Sequence, residues 1–268
     1  MDSRQTSKQS TEVNVFVKEF SHPDDRKKYL EMLQLGSEFN MRHRAIVHYY
    51  GEELIAYKRK YRVNPHVNEF LRIFSTFLTT QLEDECPPSW QECGPPFWEE
   101  LILTLPYHIR FTVEQKETET FLIHLKKFVR WLDKRVGCSW YNVVEKYVED
   151  YTLALQSCEK VLNALQLTIY PNLHNPDFNL IDDIKNIQEC TSNVYSAFEV
   201  RDIYDNIVTV YDLNTENTYQ VIGLPKDNLT QDHLIDGNIA KNDEDFFWSL
   251  NLIESVCPNN AQQYIKFT

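Results

Sequence analysis

The sequence predicts a mainly α protein with a small C-terminal antiparallel β meander, an α+β chain. Three observations carry this. Apolar residues recur at helical spacing through the first two thirds of the chain, culminating in Val144, Val148, Tyr151, Leu155, Cys158, Leu162 and Leu165, a 3.5-residue repeat over about three heptads. From Phe198 onward the period shifts to two, with short turns between alternating runs. The 268 residues are 42% hydrophobic and 13% aromatic with 6 glycines. That composition supports a core and excludes collagen-like, low-complexity and wholly disordered classes.

Residues 1–15 read as a polar tail, and 16–166 as a helical domain with a connection at 83–96. Ser21 is placed to cap a helix beginning near Pro23, where Asp24 and Asp25 suit the positive end of the helix dipole. After Gly36 and Ser37, the stripe Phe39, Ile46, Tyr50, Leu54, Tyr57 and Tyr61 predicts a helix over 38–62 that Asn64-Pro65 ends. Val67, Phe70, Leu71, Phe74, Phe77 and Leu78 share the face of the next helix. The Pro pairs at 87–88 and 95–96 make 83–96 a surface connection, before a short helix over 97–105 that stops at Pro106.

Thr112 and Gln115 have capping-box spacing for a helix running to Val136, with a core face of Phe121, Leu122, Leu125, Phe128, Val129 and Leu132. Gly137 ends it and Ser139 caps the heptad helix, about 39 Å long. So short a link folds the two into an antiparallel hairpin.

Residues 167–197 read as a loop marked by Pro171 and Pro176, then a modest helix over 180–195. A small β domain over 198–268 follows. Its strands are 198–204, 207–211, 218–222 and 237–240, with a fifth over 246–250; the turns are Asp205-Asn206, Asn214–Asn217 and Asn242–Asp245.

The order of features from Phe198 to Leu252 includes Ile207-Val208-Thr209-Val210-Tyr211-Asp212-Leu213, Thr218-Tyr219-Gln220-Val221 and a Gly237-led strand before an aromatic one. It resembles a meander of uncharacterised bacterial proteins, in which it also follows a helical segment. The resemblance covers about a fifth of the chain and implies the fold, since that group has no established activity. Some of those proteins end in a zinc-binding Cys/His tail like that of the preprotein translocase ATPase. This chain has no Cys-x-Cys or His-Cys pair after Cys257, so no zinc is carried over. The hairpin 113–165 is similar to the core-binding domain of tyrosine recombinases, but no His here has an Arg three residues later, so recombination chemistry is not implied. DNA clamping by the hairpin needs none of that chemistry.

Charge is unevenly placed. Residues 1–150 hold 21 basic and 23 acidic side chains, and residues 151–268 hold 6 and 17, within a net charge of −13. So acidic a C-terminal part repels a phosphate backbone. The polar N-terminus, the lack of an 18-residue apolar run and six scattered cysteines point to a cytoplasmic protein with reduced thiols and no membrane association, and the resemblance implies a bacterial or phage one.

Local chemistry is sparse. Cys86 and Cys93 are too far apart for a Cys-x2–4-Cys metal pair, and His43 and His48 are five residues apart where a shared helix face needs four. There is no Gly-x-Ser-x-Gly, dinucleotide fingerprint or phosphate-binding Gly loop. No catalytic, metal or cofactor residue is therefore assigned.

Three interaction candidates remain. Lys58, Arg59, Lys60 and Arg62, with Arg42 and Arg44 upstream, form a basic-aromatic run that can grip phosphates; Lys and Arg also suit a helix C-terminus for its own sake. Trp90 and Trp98, flanking the prolines beside Phe97, are candidates for an exposed anchor. Asp243, Glu244 and Asp245 either serve a turn or present an acidic surface to a basic partner.

The expectation is a non-catalytic intracellular binding or regulatory protein whose partner is another protein. The alternatives are a nucleic-acid binder using helix 38–62 and the hairpin, or an enzyme whose site is dispersed through the sequence.

Overall fold

The computed structural model describes residues 19–41, 50–175, 190–226 and 228–265. The tail 1–15, His43 and His48, and residues 180–189 of the expected helix 180–195 lie outside them; the last four residues of that expected helix, 192–195, are strand. Helix α1 (Pro23–Ser37) is capped by His22, whose Nδ1 accepts from the Asp24 amide at 3.4 Å, so the cap falls one residue after Ser21. Of the expected helix 38–62, residues 38–41 are turn and irregular chain instead, and the helix that is described is α2 (Gly51–Lys60), entered through Tyr50 at φ 56°. Helix α3 (Pro65–Thr76) starts at Asn64, whose Oδ1 accepts from the amides of His66 and Val67, and runs into a π turn over Phe77–Gln81.

The connection 83–96 is no surface strap. It contributes buried Trp90 and Cys93 to the core before α4 (Pro95–Leu103), and the Tyr50 ring stacks on Trp90 at 4.1 Å. The aromatic excess is spent here. Phe128 alone meets Tyr57 at 5.1 Å, Phe74 at 5.4 Å and Phe70 at 5.5 Å.

Helix α5 (Glu117–Val136) and helix α6 (Tyr141–Ile169) form the expected hairpin, with Gly137 left-handed at φ 76°. Both caps differ from the sequence expectation, because each is supplied across the hairpin. The Glu159 carboxylate, only 6% exposed on α6, accepts from the amides of Glu117 (2.9 Å) and Thr118 (3.2 Å), in place of a Thr112–Gln115 box. Asp133 on α5 likewise accepts from the amides of Trp140 and Tyr141 in place of Ser139. A charged acceptor on free amides at a buried helix start is worth about 2 kcal/mol. Glu159→Ala is expected to lower the urea midpoint accordingly, and Glu159→Gln, which keeps one acceptor, by less than half as much.

The meander is in fact a closed barrel. Strands β1 (Ser192–Tyr204), β2 (Ile207–Asp212) and β3 (Thr218–Ile222) are successively antiparallel, and β4 (His233–Lys241) is antiparallel to both β1 and β5 (Trp248–Pro258). β5 runs parallel to β3, so the order around the barrel is β1-β2-β3-β5-β4. β1 begins six residues earlier than expected. Its first part pairs with β4 and its last part with β2, across an irregularity between Val200 and Asp202. Gly237 lies at a break in β4–β5 register where a Cβ would meet the Leu252 carbonyl oxygen at 2.3 Å, so no larger residue fits. One parallel pair thus closes a ring of four antiparallel pairs.

One helix serves both cores. Val144, Val148 and Leu155 of α6 pack in the helical body, whereas Cys158, Val161, Leu162 and Leu165 pack with barrel residues Phe198, Val210, Ile235, Ile253 and Val256. Gln166 Nε2 donates to the Ile253 carbonyl at 3.0 Å, and Tyr107 donates to Asp236 at 2.7 Å, pinning body to barrel. The 3.5-residue repeat is thus one continuous seam that changes partner halfway along.

Candidate functional site

Helix α5 has two unlike faces. Its apolar face is buried, while Lys126, Arg130 and Lys134 follow one another at four-residue spacing on the other, about 6 Å apart along the axis. The C-terminal end of α2 packs alongside and adds Lys60 and Tyr61, and α6 adds Tyr141. Together with Ile123, Lys127 and Trp131 they line a groove of about 540 Å³.

The groove is basic and aromatic. Lys60, Lys127, Arg130 and Lys134 are exposed and Lys126 is half-buried. Among the described residues, no carboxylate lies within ion-pair distance of any of the five. The rings are held from behind. Trp131 sits 5.1 Å from Tyr57 and 5.9 Å from Phe128, and Tyr61 sits 4.8 Å from Tyr57. The Arg130 guanidinium lies 4.2 Å over the Tyr141 ring and also donates to its hydroxyl. That hydroxyl in turn donates to Glu145, a bond that raises the Tyr141 pKa.

Of the basic run singled out from sequence, only Lys60 reaches the groove. Arg42 and Arg44 lie outside the described residues. Lys58 is 1% exposed, and its ammonium meets Glu38 at 2.9 Å, the Arg62 carbonyl at 3.1 Å and Asn68 Oδ1. All three donors of an ammonium are then used, and none is left for a phosphate. Arg59 pairs with Glu31 at 3.4 Å, and Arg62 does not line the groove.

Trp90 (4% exposed) and Trp98 (0%) cannot be exposed anchors. Trp90 donates from Nε1 to Glu53 and accepts at its carbonyl from Trp140 Nε1. Asp245 accepts from the Asn242 amide at 2.9 Å and so serves the turn, whereas Asp243 accepts from Thr191 Oγ1 at 2.9 Å, just before β1. Glu244 is exposed beside Phe246, itself 83% exposed.

Sequence reasoning missed the groove residues on α5, although a signal was there. Lys126 to Arg135 holds five cations in ten residues, spaced so as to avoid the apolar face. Along the chain the hairpin and the end of the basic helix are separate features, and packing joins them.

The barrel offers no comparable site among the described residues. On β2 the Tyr211 ring has Arg201 over it at 4.8 Å, as Tyr61 and Trp131 have Lys60 and Arg135 over them at 5.4 Å and 5.5 Å, but Arg201 is neutralised by Glu199 at 2.7 Å. The turn leaving β1 carries Asp205, paired with Lys226 at 2.9 Å.

A Ser–His contact across the body–barrel junction is oriented against base catalysis. His233 Nδ1 accepts from the Thr230 amide at 3.0 Å, so the neutral ring carries its proton on Nε2, facing Ser157 Oγ at 3.2 Å. Burial lowers the His233 pKa, against the opposing pull of Asp232, and so favours that neutral form. Among the described residues, no three His, Cys, Asp or Glu side chains gather in a metal-binding cluster, and no helix is long and apolar enough to cross a membrane.

Fold and site together define a class: a helical body fused through one long helix to a small five-stranded closed barrel, with a basic aromatic groove on the body. Comparison with protein families, curated proteins and solved structures finds no match to this chain.

Proposed function

We propose that this is a non-catalytic nucleic-acid-binding protein whose contact surface is the groove between α2, α5 and α6. One observation carries this: five cations, unpaired among the described residues, converge with three aromatic rings in a single concavity of a chain with net charge −13. Residues 1–150, which hold the whole groove, are nearly balanced at 21 basic and 23 acidic side chains, so a lining with five cations and no carboxylate does not follow from composition. From Tyr141 to Cys158, where α6 first packs against the barrel, is about 26 Å, or about three Debye lengths at physiological salt, so the acidic barrel does not neutralise the groove. It keeps phosphates off the rest of the surface instead.

The test is the salt dependence of oligonucleotide binding by the wild type and by Lys126→Ala/Lys127→Ala/Lys134→Ala. Each phosphate left without its cation takes about 0.7 off the slope of log affinity against log salt for a single strand, so the triple variant should lie shallower by about 2. No binding by the wild type at low salt, or an unchanged slope in the variant, contradicts the proposal. A protein partner is the second candidate, favoured by Phe246 and Glu244 exposed on the barrel. It predicts capture of a basic protein from nuclease-treated lysate that Phe246→Ala abolishes.

A further inference from the structure

Resting on that proposed function, we infer that the groove takes an unpaired nucleotide, so that the preferred ligand is single-stranded nucleic acid, with a base against Tyr61 and Trp131 and consecutive phosphates along Lys126, Arg130 and Lys134.

Three features of the site favour a strand over a duplex. The first is size. About 540 Å³ is of the size of small-ligand sites, roughly 300–1,000 Å³, so the groove has room for a nucleoside. The second is chemistry. Tyr61 is 37% exposed, Ile123 is 42% exposed, and both line the same concavity as half-buried Trp131. Phosphates alone give such apolar surface nothing to bind. A duplex shows proteins only the edges of its bases, whereas an unpaired base offers a ring face for stacking. The third is arrangement. Three cations at successive helical turns form a single row, which tracks one backbone, and the rings lie beside that row.

Stacking on a ring does not depend on which base is present, so the site is expected to tolerate sequence. The same cations would also attract inorganic polyphosphate or an anionic lipid surface, neither of which brings a base.

The experiment compares a fluorescent oligo-dT, a hairpin duplex with the same number of phosphates, inorganic polyphosphate as competitor, and vesicles containing phosphatidylserine. Each is measured on the full chain and on its Tyr61→Ala and Tyr61→Phe variants. Tyr61 is 37% exposed and closes α2 through its backbone amide, which both variants keep, so both are expected to fold, as circular dichroism checks.

The expected result is oligo-dT binding at least tenfold tighter than the duplex. Tyr61→Ala should weaken oligo-dT about tenfold, the loss of one stacked base, with the salt slope and duplex binding unchanged, and Tyr61→Phe should restore the affinity. Equal affinity for strand and duplex, an inert Tyr61→Ala, or polyphosphate or vesicles bound as tightly as oligo-dT overturns the single-strand assignment and leaves a phosphate-binding groove. Failure of both oligonucleotide forms to bind overturns the proposed function itself.

Discussion

Lys58→Ala is expected to destabilise the helical body by about 2–3 kcal/mol while leaving the nucleic-acid affinity of the folded protein unchanged. The ammonium ties together the end of α1 through Glu38, the start of α3 through Asn68 and the turn between α2 and α3 through the Arg62 carbonyl. Its removal leaves three acceptors without their donor, around a side chain that is 1% exposed. Taking away one partner of a fully buried ion pair costs about 3–5 kcal/mol, and the figure here is smaller because Glu38 is 37% exposed and stays solvated. Lys60→Ala, two residues on, is expected to do the reverse: unchanged stability and weaker binding. Urea denaturation and oligonucleotide titration on the two variants check the pair. Weakened binding by folded Lys58→Ala would return Lys58 to the binding surface.

Asp212→Ala is expected to cost about 3 kcal/mol, and to do so in the barrel. Asp212 at the end of β2 is 0% exposed and accepts from the Ser196 hydroxyl on β1, the amides of Asn214 and Thr215, and the Thr215 hydroxyl at 2.6 Å. Each buried donor left without an acceptor costs about 1–3 kcal/mol, and relaxation of the turn recovers part of that. Burial alone would raise the pKa of this carboxyl. The hydrogen bonds from Ser196, Thr215 and Asn214 outweigh it and hold the group below the ordinary carboxylate value.

The pH dependence follows in sign. A depressed carboxyl contributes stability that is complete above its unfolded pKa, about 4, and lost as pH falls through the folded value. The acid limb of the wild-type stability profile should therefore be steeper below pH 4 than that of Asp212→Asn. Four of the five tryptophans lie in the helical body and only Trp248 in the barrel, so loss of the Trp248 signal before loss of helical ellipticity locates the damage.

Elements made by local rules could be read directly. The α5–α6 hairpin follows from two apolar faces and a glycine able to take φ 76°. The strand over Ile207–Asp212 and the turn before it follow from alternation and Asp205-Asn206. The caps at Glu117 and Trp140 did not follow, because Glu159 and Asp133 are far away in sequence and reach the helix starts only once the hairpin closes. Trp90 and Trp98 misled for a related reason. Proline-rich flanks signal irregular backbone, and irregular backbone is usually exposed, but here a large indole on each side fills the core.

What the sequence determined by itself was every feature whose cause lies within one or two helical turns or a single strand pair: the helices' apolar faces, the period change near residue 198, the acidic C-terminal part and the cation row on α5. Tertiary structure alone decided which partner the heptad seam meets, closure of the strands through a parallel β3–β5 pair, the burial of Lys58, and the meeting of Lys60 and Tyr61 with α5. The physical reason is range. Backbone propensity and side-chain periodicity act between near neighbours along the chain, whereas burial and the summed field of several charges depend on distances through space that exist only after the elements have packed.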